Sequence, residues 1–189
     1  GMLRSLVGSE MCIRDRRSAG RAPFVSVNVS VKQLRDHRFP ARVAQVLADT
    51  GLAPELLHLE LTESSLLDGE SGAIIALETL HGIGVKLWLD DFGTGFSGLN
   101  HLRRVPVSGV KIDRSFVTDL LTDRHDVALT SAIIAMARSL DITVVAEGVE
   151  SAALAEVLEQ LDCPYGQGYW FGEPTHSEKL VELIIAQRY

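Results

Sequence analysis

Six short apolar runs, each closing on or beside a polar residue, recur along the chain. Asn28, Glu60, Asp90, Lys111, Glu147 and Gln167 stand near their ends, 32, 30, 21, 36 and 20 residues apart. That spacing fits one β-strand and one helix per repeat around a mostly parallel sheet. A strand covered on both faces should read as nearly continuous apolar sequence, so a charged residue at its end needs a reason. In eight-stranded βα barrels the C-terminal ends of the strands are where chemistry sits. Strands are expected at 24–30, 57–62, 85–90, 109–113, 143–147 and 166–170. Helices are expected at 34–50, 72–81, 99–104, 126–140, 152–161 and 177–187. In 126–140, Val127, Leu129, Ile133, Ile134, Ala137 and Leu140 fall mainly on one side.

The 189 residues are 46% hydrophobic, enough for a sizeable core in one domain. Eighteen Lys and Arg against 25 Asp and Glu leave a net charge of −7, which argues against broad binding to the backbone of DNA or RNA. A small phosphate ligand held through a metal remains compatible with that charge. The two cysteines, Cys12 and Cys163, form neither a disulfide scaffold nor a zinc spacing, and a reducing compartment is the simplest reading. No run reaches the roughly 18 apolar residues of a membrane span.

The strongest local signal is Asp90-Asp91-Phe92-Gly93-Thr94-Gly95. Adjacent carboxylates repel, and a hard divalent cation is the natural compensator. In the alternative, Asp91 caps the next helix and Asp90 is solvated. Glu60-Leu61-Thr62-Glu63 adds two carboxylates, and the period of two puts Glu60 and Thr62 on one strand face. The same alternation puts Ser26, Asn28 and Ser30 on one face of 24–30. Asn, Glu and Asp together supply the oxygen donors that Mg²⁺, Mn²⁺ or Ca²⁺ prefer. Lys111-Ile112-Asp113 offers either an internal ion pair or a cation beside metal carboxylates. Glu147, followed directly by Gly148, is a candidate general base. In Gly166-Gln167-Gly168-Tyr169-Trp170-Phe171-Gly172 the aromatics pack into the core, stack on a base, or do both.

Taken in order, these segments resemble the EAL domain, the bacterial cyclic-di-GMP phosphodiesterase family. The resemblance rests on Ser26-Val27-Asn28-Val29-Ser30, Glu60-Leu61-Thr62-Glu63, Asp90 through Gly95, Lys111-Ile112-Asp113, Ala146-Glu147-Gly148-Val149-Glu150 and Gln167-Gly168-Tyr169. It implies an α/β fold, a modified TIM (β/α)8-type barrel, in which two Mg²⁺ or Mn²⁺ ions activate a water that opens cyclic-di-GMP to linear pGpG. By the same resemblance Asn28, Glu60 and Asp90 are ligands of one metal and Asp91 of the second. Lys111 orients the attacking water, Glu147 serves as general base or metal neighbour, and Gln167 supports the site. Glu63 anchors the loop Phe92–Ser97, and Asp113 and Glu150 are further supporting residues.

The sequence departs from that pattern at its start. No Glu-Ala-Leu triplet precedes Asn28, where the family carries its name-giving metal ligand. Only about six of the eight strands are expected, and 189 residues fall short of the roughly 250 of a TIM barrel. The barrel is therefore expected to be incomplete at its N-terminus. Residues 1–15 are read as a non-native or disordered segment and 16–189 as a truncated EAL-like domain. Trp88 beneath the carboxylates, Phe96 and Glu173 are smaller departures. The expected function is metal-dependent hydrolysis of cyclic-di-GMP, impaired in this chain by truncation. The alternative is a catalytically inactive module that binds cyclic-di-GMP or a protein partner in signalling. Open sheet edges point to a homodimer or other self-association. The family resemblance adds sensory or cyclase domains in a longer parent, cytoplasmic and in some contexts membrane-anchored through other regions.

Overall fold

The computed structural model describes residues 24–62, 71–95, 102 and 105–174. Six strands, β1 (Val25–Asn28), β2 (Leu57–Thr62), β3 (Lys86–Phe92), β4 (Gly109–Ile112), β5 (Thr143–Ala146) and β6 (Tyr165–Gly166), form one sheet in the order of the sequence. Every neighbouring pair is parallel. Helices Phe39–Thr50, Ser71–Ile83, Arg124–Ser139 and Ala152–Gln160 lie in the connections, with short helices at Val31–Leu34 and Arg114–Thr118. This is the incomplete TIM-like barrel that the family resemblance implies, built from the βα units of the repeat. Among the described residues β1 and β6 each have one strand neighbour, so the sheet does not close on itself.

The alternation of side chains along the strands divides the sheet into two chemistries. One face carries Val29, Leu57, Leu59, Leu61, Leu87, Leu89, Val110, Ile112, Val144 and Ala146, all buried in one apolar cluster with helical residues such as Leu77, Leu80, Ile134 and Leu158. The other face carries Ser26, Glu60, Trp88, Asp90 and Lys111. Trp88 and Val145 are buried yet stand outside that cluster, as residues of the inner face must. The hydrophobic effect thus fastens the helices to the outside, and polar residues are left to the concave side.

Several boundaries differ from the sequence expectation for local reasons. The helix expected at 34–50 is two helices, because Pro40, which has no N–H to donate, sits in the first turn of the second. The Asp36 carboxylate accepts from the Arg38 N–H at 3.0 Å just ahead of it. Asp113 is not a strand residue but the N-cap of Arg114–Thr118, where its side chain accepts from the Ser115 N–H. The last strand is Tyr165–Gly166 rather than 166–170, and Tyr169 and Trp170 are 64% and 50% exposed instead of packed in the core. In Arg124–Ser139 the buried residues are Thr130, Ile134 and Ala137, while Leu129 and Leu140 are about half exposed. The expected helices at 99–104 and 177–187 lie outside the described residues, apart from Leu102. No helix among the described residues is long and apolar enough to cross a membrane.

Candidate functional site at the strand ends

β3 departs from regular pairing where the two aspartates stand. Leu89 pairs with Val110 and Phe92 with Ile112, so Asp90 and Asp91 together oppose Lys111. This is a β-bulge, and Asp91 sits at φ 53° in the left-handed region that Asp tolerates better than most residues. Regular alternation would send Asp91 to the apolar face. The bulge lets both carboxylates reach the concave side, and Leu89 and Phe92 keep their places in the core.

Lys111 is the centre of the constellation. Its Nζ lies 3.2 Å from Glu60 Oε2, 3.2 Å from Asp90 Oδ1 and 2.6 Å from Glu147 Oε1. Lys111 and Glu60 are each 3% exposed. Burial works against the Lys111 charge, but Glu60, Glu147 and Asp90 outweigh it and hold the ammonium above the ordinary lysine range. Burial likewise pushes the carboxyls of Glu60 and Glu147 up, against the pull of Lys111. Ser26 supplies Glu60 with a further hydrogen bond.

Asp91 is raised by burial, by the neighbouring Asp90 charge and by a hydrogen bond with Asp113. Asp113 moves the other way: burial is overcome by the Ser115 hydroxyl and N–H and by the bond to Asp91. The two carboxyls are thus shifted in opposite directions. Oxygens of Asp90, Asp91 and Glu147 lie within 4.8 Å of one another, a spacing that suits one hard cation. With Glu60 included, four carboxylates face one ammonium, a surplus of negative charge that a divalent cation would offset. The donor set fits a divalent metal.

Asn28 is an exposed residue at the end of β1, in register with Glu60. Gln167 follows β6; its backbone N–H donates to the Ala146 carbonyl at 2.8 Å, while its side-chain Oε1 is buried with no hydrogen-bond partner. Beyond Glu147 a cleft of about 240 Å³ is lined by Arg114, Glu150, Gln167, Tyr169 and Glu173 among others. The structure thus gathers Glu60, Asp90, Asp91, Lys111, Asp113 and Glu147 tightly, with Gln167 and Glu150 on the adjoining cleft and Asn28 at the near edge. Glu63 and most of the loop after Gly95 lie outside the described residues. Two contributors were not singled out from sequence. Ser26 was legible as part of the polar face, whereas nothing in the sequence marks Arg114 as a cleft residue.

A parallel βα half-barrel with a buried lysine among four carboxylates at its strand ends places the chain in the class of TIM-like α/β folds. The model of the EAL domain family matches residues 4–174, and the chain belongs to that family. It is 39% identical over 158 residues to the oxygen sensor protein DosP of Escherichia coli K12, covering 84% of this chain and 20% of that protein. It is 40% identical over 160 residues to the bifunctional diguanylate cyclase/cyclic di-GMP phosphodiesterase MucR of Pseudomonas aeruginosa, covering 85% and 23%. Among solved structures, the EAL enzyme Bd1971 in its cAMP- and cyclic-di-GMP-bound form superposes with a TM-score of 0.82 at 40% identity, covering 85% of this chain and 43% of that one. The chain spans about a fifth of the length of the curated relatives it matches.

Proposed function

We propose that this chain is part of a cyclic-di-GMP phosphodiesterase domain that opens one phosphodiester to give linear pGpG; the family's Glu-Ala-Leu ligand is not among its 189 residues. The observation that carries this reading is the ring of Glu60, Asp90 and Glu147 around Lys111, with Asp91 beside it. In hydrolysis a water oxygen bonds to phosphorus, the P–O3′ bond breaks, and the water's proton passes to a base as the 3′ oxygen gains one. Asp90, Asp91 and Glu147, extended by Glu60 and Asn28, are the residues to hold Mg²⁺ or Mn²⁺. When bound, the cation supplies positive charge at the phosphoryl oxygens.

The chain's own groups do the rest. Lys111, held above the ordinary range, stays cationic and fixes three carboxylates in one geometry without rearrangement. In this reading Glu147, 2.6 Å from that ammonium and raised by burial, takes the proton of the attacking water. Gln167 offers an unpartnered amide oxygen at the cleft wall to a ligand hydrogen-bond donor.

The test is pGpG formation by the full chain with Mn²⁺, beside a version carrying a complete EAL N-terminus before Arg16. Loss of one charged ligand should slow this chain by about 10²- to 10³-fold relative to the graft. Asp90→Asn should abolish turnover in both. Comparable rates in the two versions would show that the upstream ligand is dispensable. A second reading is a silent module that binds cyclic-di-GMP. It is the reading to adopt if both versions bind the dinucleotide and neither forms pGpG. Absence of binding and turnover in both would overturn both readings.

A further inference from the structure

We propose that Trp88 and Gly109 are a complementary pair of positioning residues that set the meeting point of Asp90 and Lys111; the functional weight of that point rests on the reading above. The two are register partners on β3 and β4, in the last pairs before the bulge. A Cβ at position 109 would lie 2.4 Å, 2.5 Å and 2.6 Å from Cζ3, Cε3 and Cη2 of Trp88, so the six-membered ring of the indole lies flat against the glycine backbone. Such approaches are far inside van der Waals contact, and no side chain fits at 109 unless the indole or the strand moves.

The indole has little room to move. It is 7% exposed, and on its other side it stacks on His58 with ring centroids 5.3 Å apart and 18° between planes. His58 in turn stacks on Phe24 at 4.0 Å. A row of Phe24, His58, Trp88 and Gly109 therefore crosses β1 to β4 on the concave face. Asp90 and Lys111 each stand two residues farther along the same strands, about 6.6 Å above this row. With the indole wedged between His58 and the Gly109 backbone, the lateral spacing of β3 and β4 is fixed just below the 3.2 Å contact of Asp90 with Lys111. Added volume at 109 has to be taken up by spreading the strands, and the ammonium then leaves its carboxylates.

Lys111 reports on this without metal or substrate, since its amine is shielded by burial and three ion pairs, whereas Lys32 is exposed. The experiment is acetylation of the full chain with an N-hydroxysuccinimide ester, read by mass spectrometry as the rate at Lys111 relative to Lys32, with circular dichroism as the check on folding. Gly109→Ala should accelerate labelling of Lys111 by about tenfold or more at unchanged secondary structure. Adding Trp88→Leu to Gly109→Ala, which makes room for the new methyl group, should bring it back to within about threefold of the parent. A Gly109→Ala chain with Lys111 still protected, or a double variant as reactive as the single one, would overturn the proposal. If Gly109→Ala alone fails to fold, the double variant decides: folded and protected supports the pair, unfolded or reactive refutes it. Failure of the parent to form pGpG or bind Mn²⁺ would count against the phosphodiesterase reading and leave this result standing.

Discussion

His58, stacked between Phe24 and Trp88, is a half-buried imidazole whose protonation costs the fold. Burial first, then the nearby Lys86 charge, lower its pKa from 6.5 to about 4, against a raising backbone hydrogen bond at Glu55. Between those values the unfolded chain takes up a proton that the folded chain refuses. Stability from this residue is therefore complete above pH 6.5 and falls as pH drops toward 4. At pH 5 the loss, allowing for the ring's partial exposure, is about 1–2 kcal/mol. His58→Phe keeps the stack and removes the titration, so its urea midpoint should exceed that of the parent at pH 5 by more than at pH 7.5; equal gains at both pH values would remove His58 as the cause. Thr130 presents a different imbalance: it is fully buried on the inner face of Arg124–Ser139 and its hydroxyl has no hydrogen-bond partner. Thr130→Val is nearly isosteric and discards an unpaired polar group, so it should raise stability by about 1 kcal/mol. A lowered urea midpoint would show that the hydroxyl is satisfied after all.

Strand identity and order were legible because apolar runs and terminal polar residues repeat with βα spacing, and β2 and β4 begin where that pattern places them. The acidic centre was legible in outline for the same reason. What the pattern could not show is the bulge that turns Asp91 to the concave side, since period two sends adjacent residues to opposite faces. Nor could it show Lys111 bridging three strands, a contact made across the sheet and not along the chain. The sixth strand forms but ends at Gly166 instead of 170, because of a close approach. A Cβ at Gly168 would lie 2.3 Å from the Val149 carbonyl oxygen and 2.4 Å from its nitrogen. Gly168 thus marks where the chain leaves the sheet and folds against the segment after β5. Val149 N–H donates to the Gln167 carbonyl and Trp170 N–H to the Val149 carbonyl, both at 3.0 Å, and these bonds hold that segment together. Gly168→Ala should break them at a cost of about 3 kcal/mol and displace Gln167 from the cleft. Chemical denaturation checks the first effect, and loss of hydrogen-exchange protection at Val149 and Trp170 checks the second.

For the molecule as a whole, the division between an apolar helix-covered face and a polar concave face explains how six strands persist as a sheet: the helices fasten each strand independently of barrel closure. Closure would also remove sheet edges, and here two remain, the outer sides of β1 and β6 having no strand partner among the described residues. Those edges are unequal. β6 contributes only two residues, whereas β1 offers four, with Val25 40% exposed. An edge of several residues with an exposed β-branched side chain is a template for pairing with a second chain, and natural proteins blunt such edges with charge. The expectation is therefore self-association through β1, seen in light scattering as a mass that rises with concentration toward that of a dimer. Val25→Lys places a charge on that edge without touching the carboxylate centre and should shift the same dilution series toward the monomer. If the parent chain stays monomeric across the series, the β1 edge is not an interface in solution; if Val25→Lys leaves a dimer unchanged, the chains meet elsewhere.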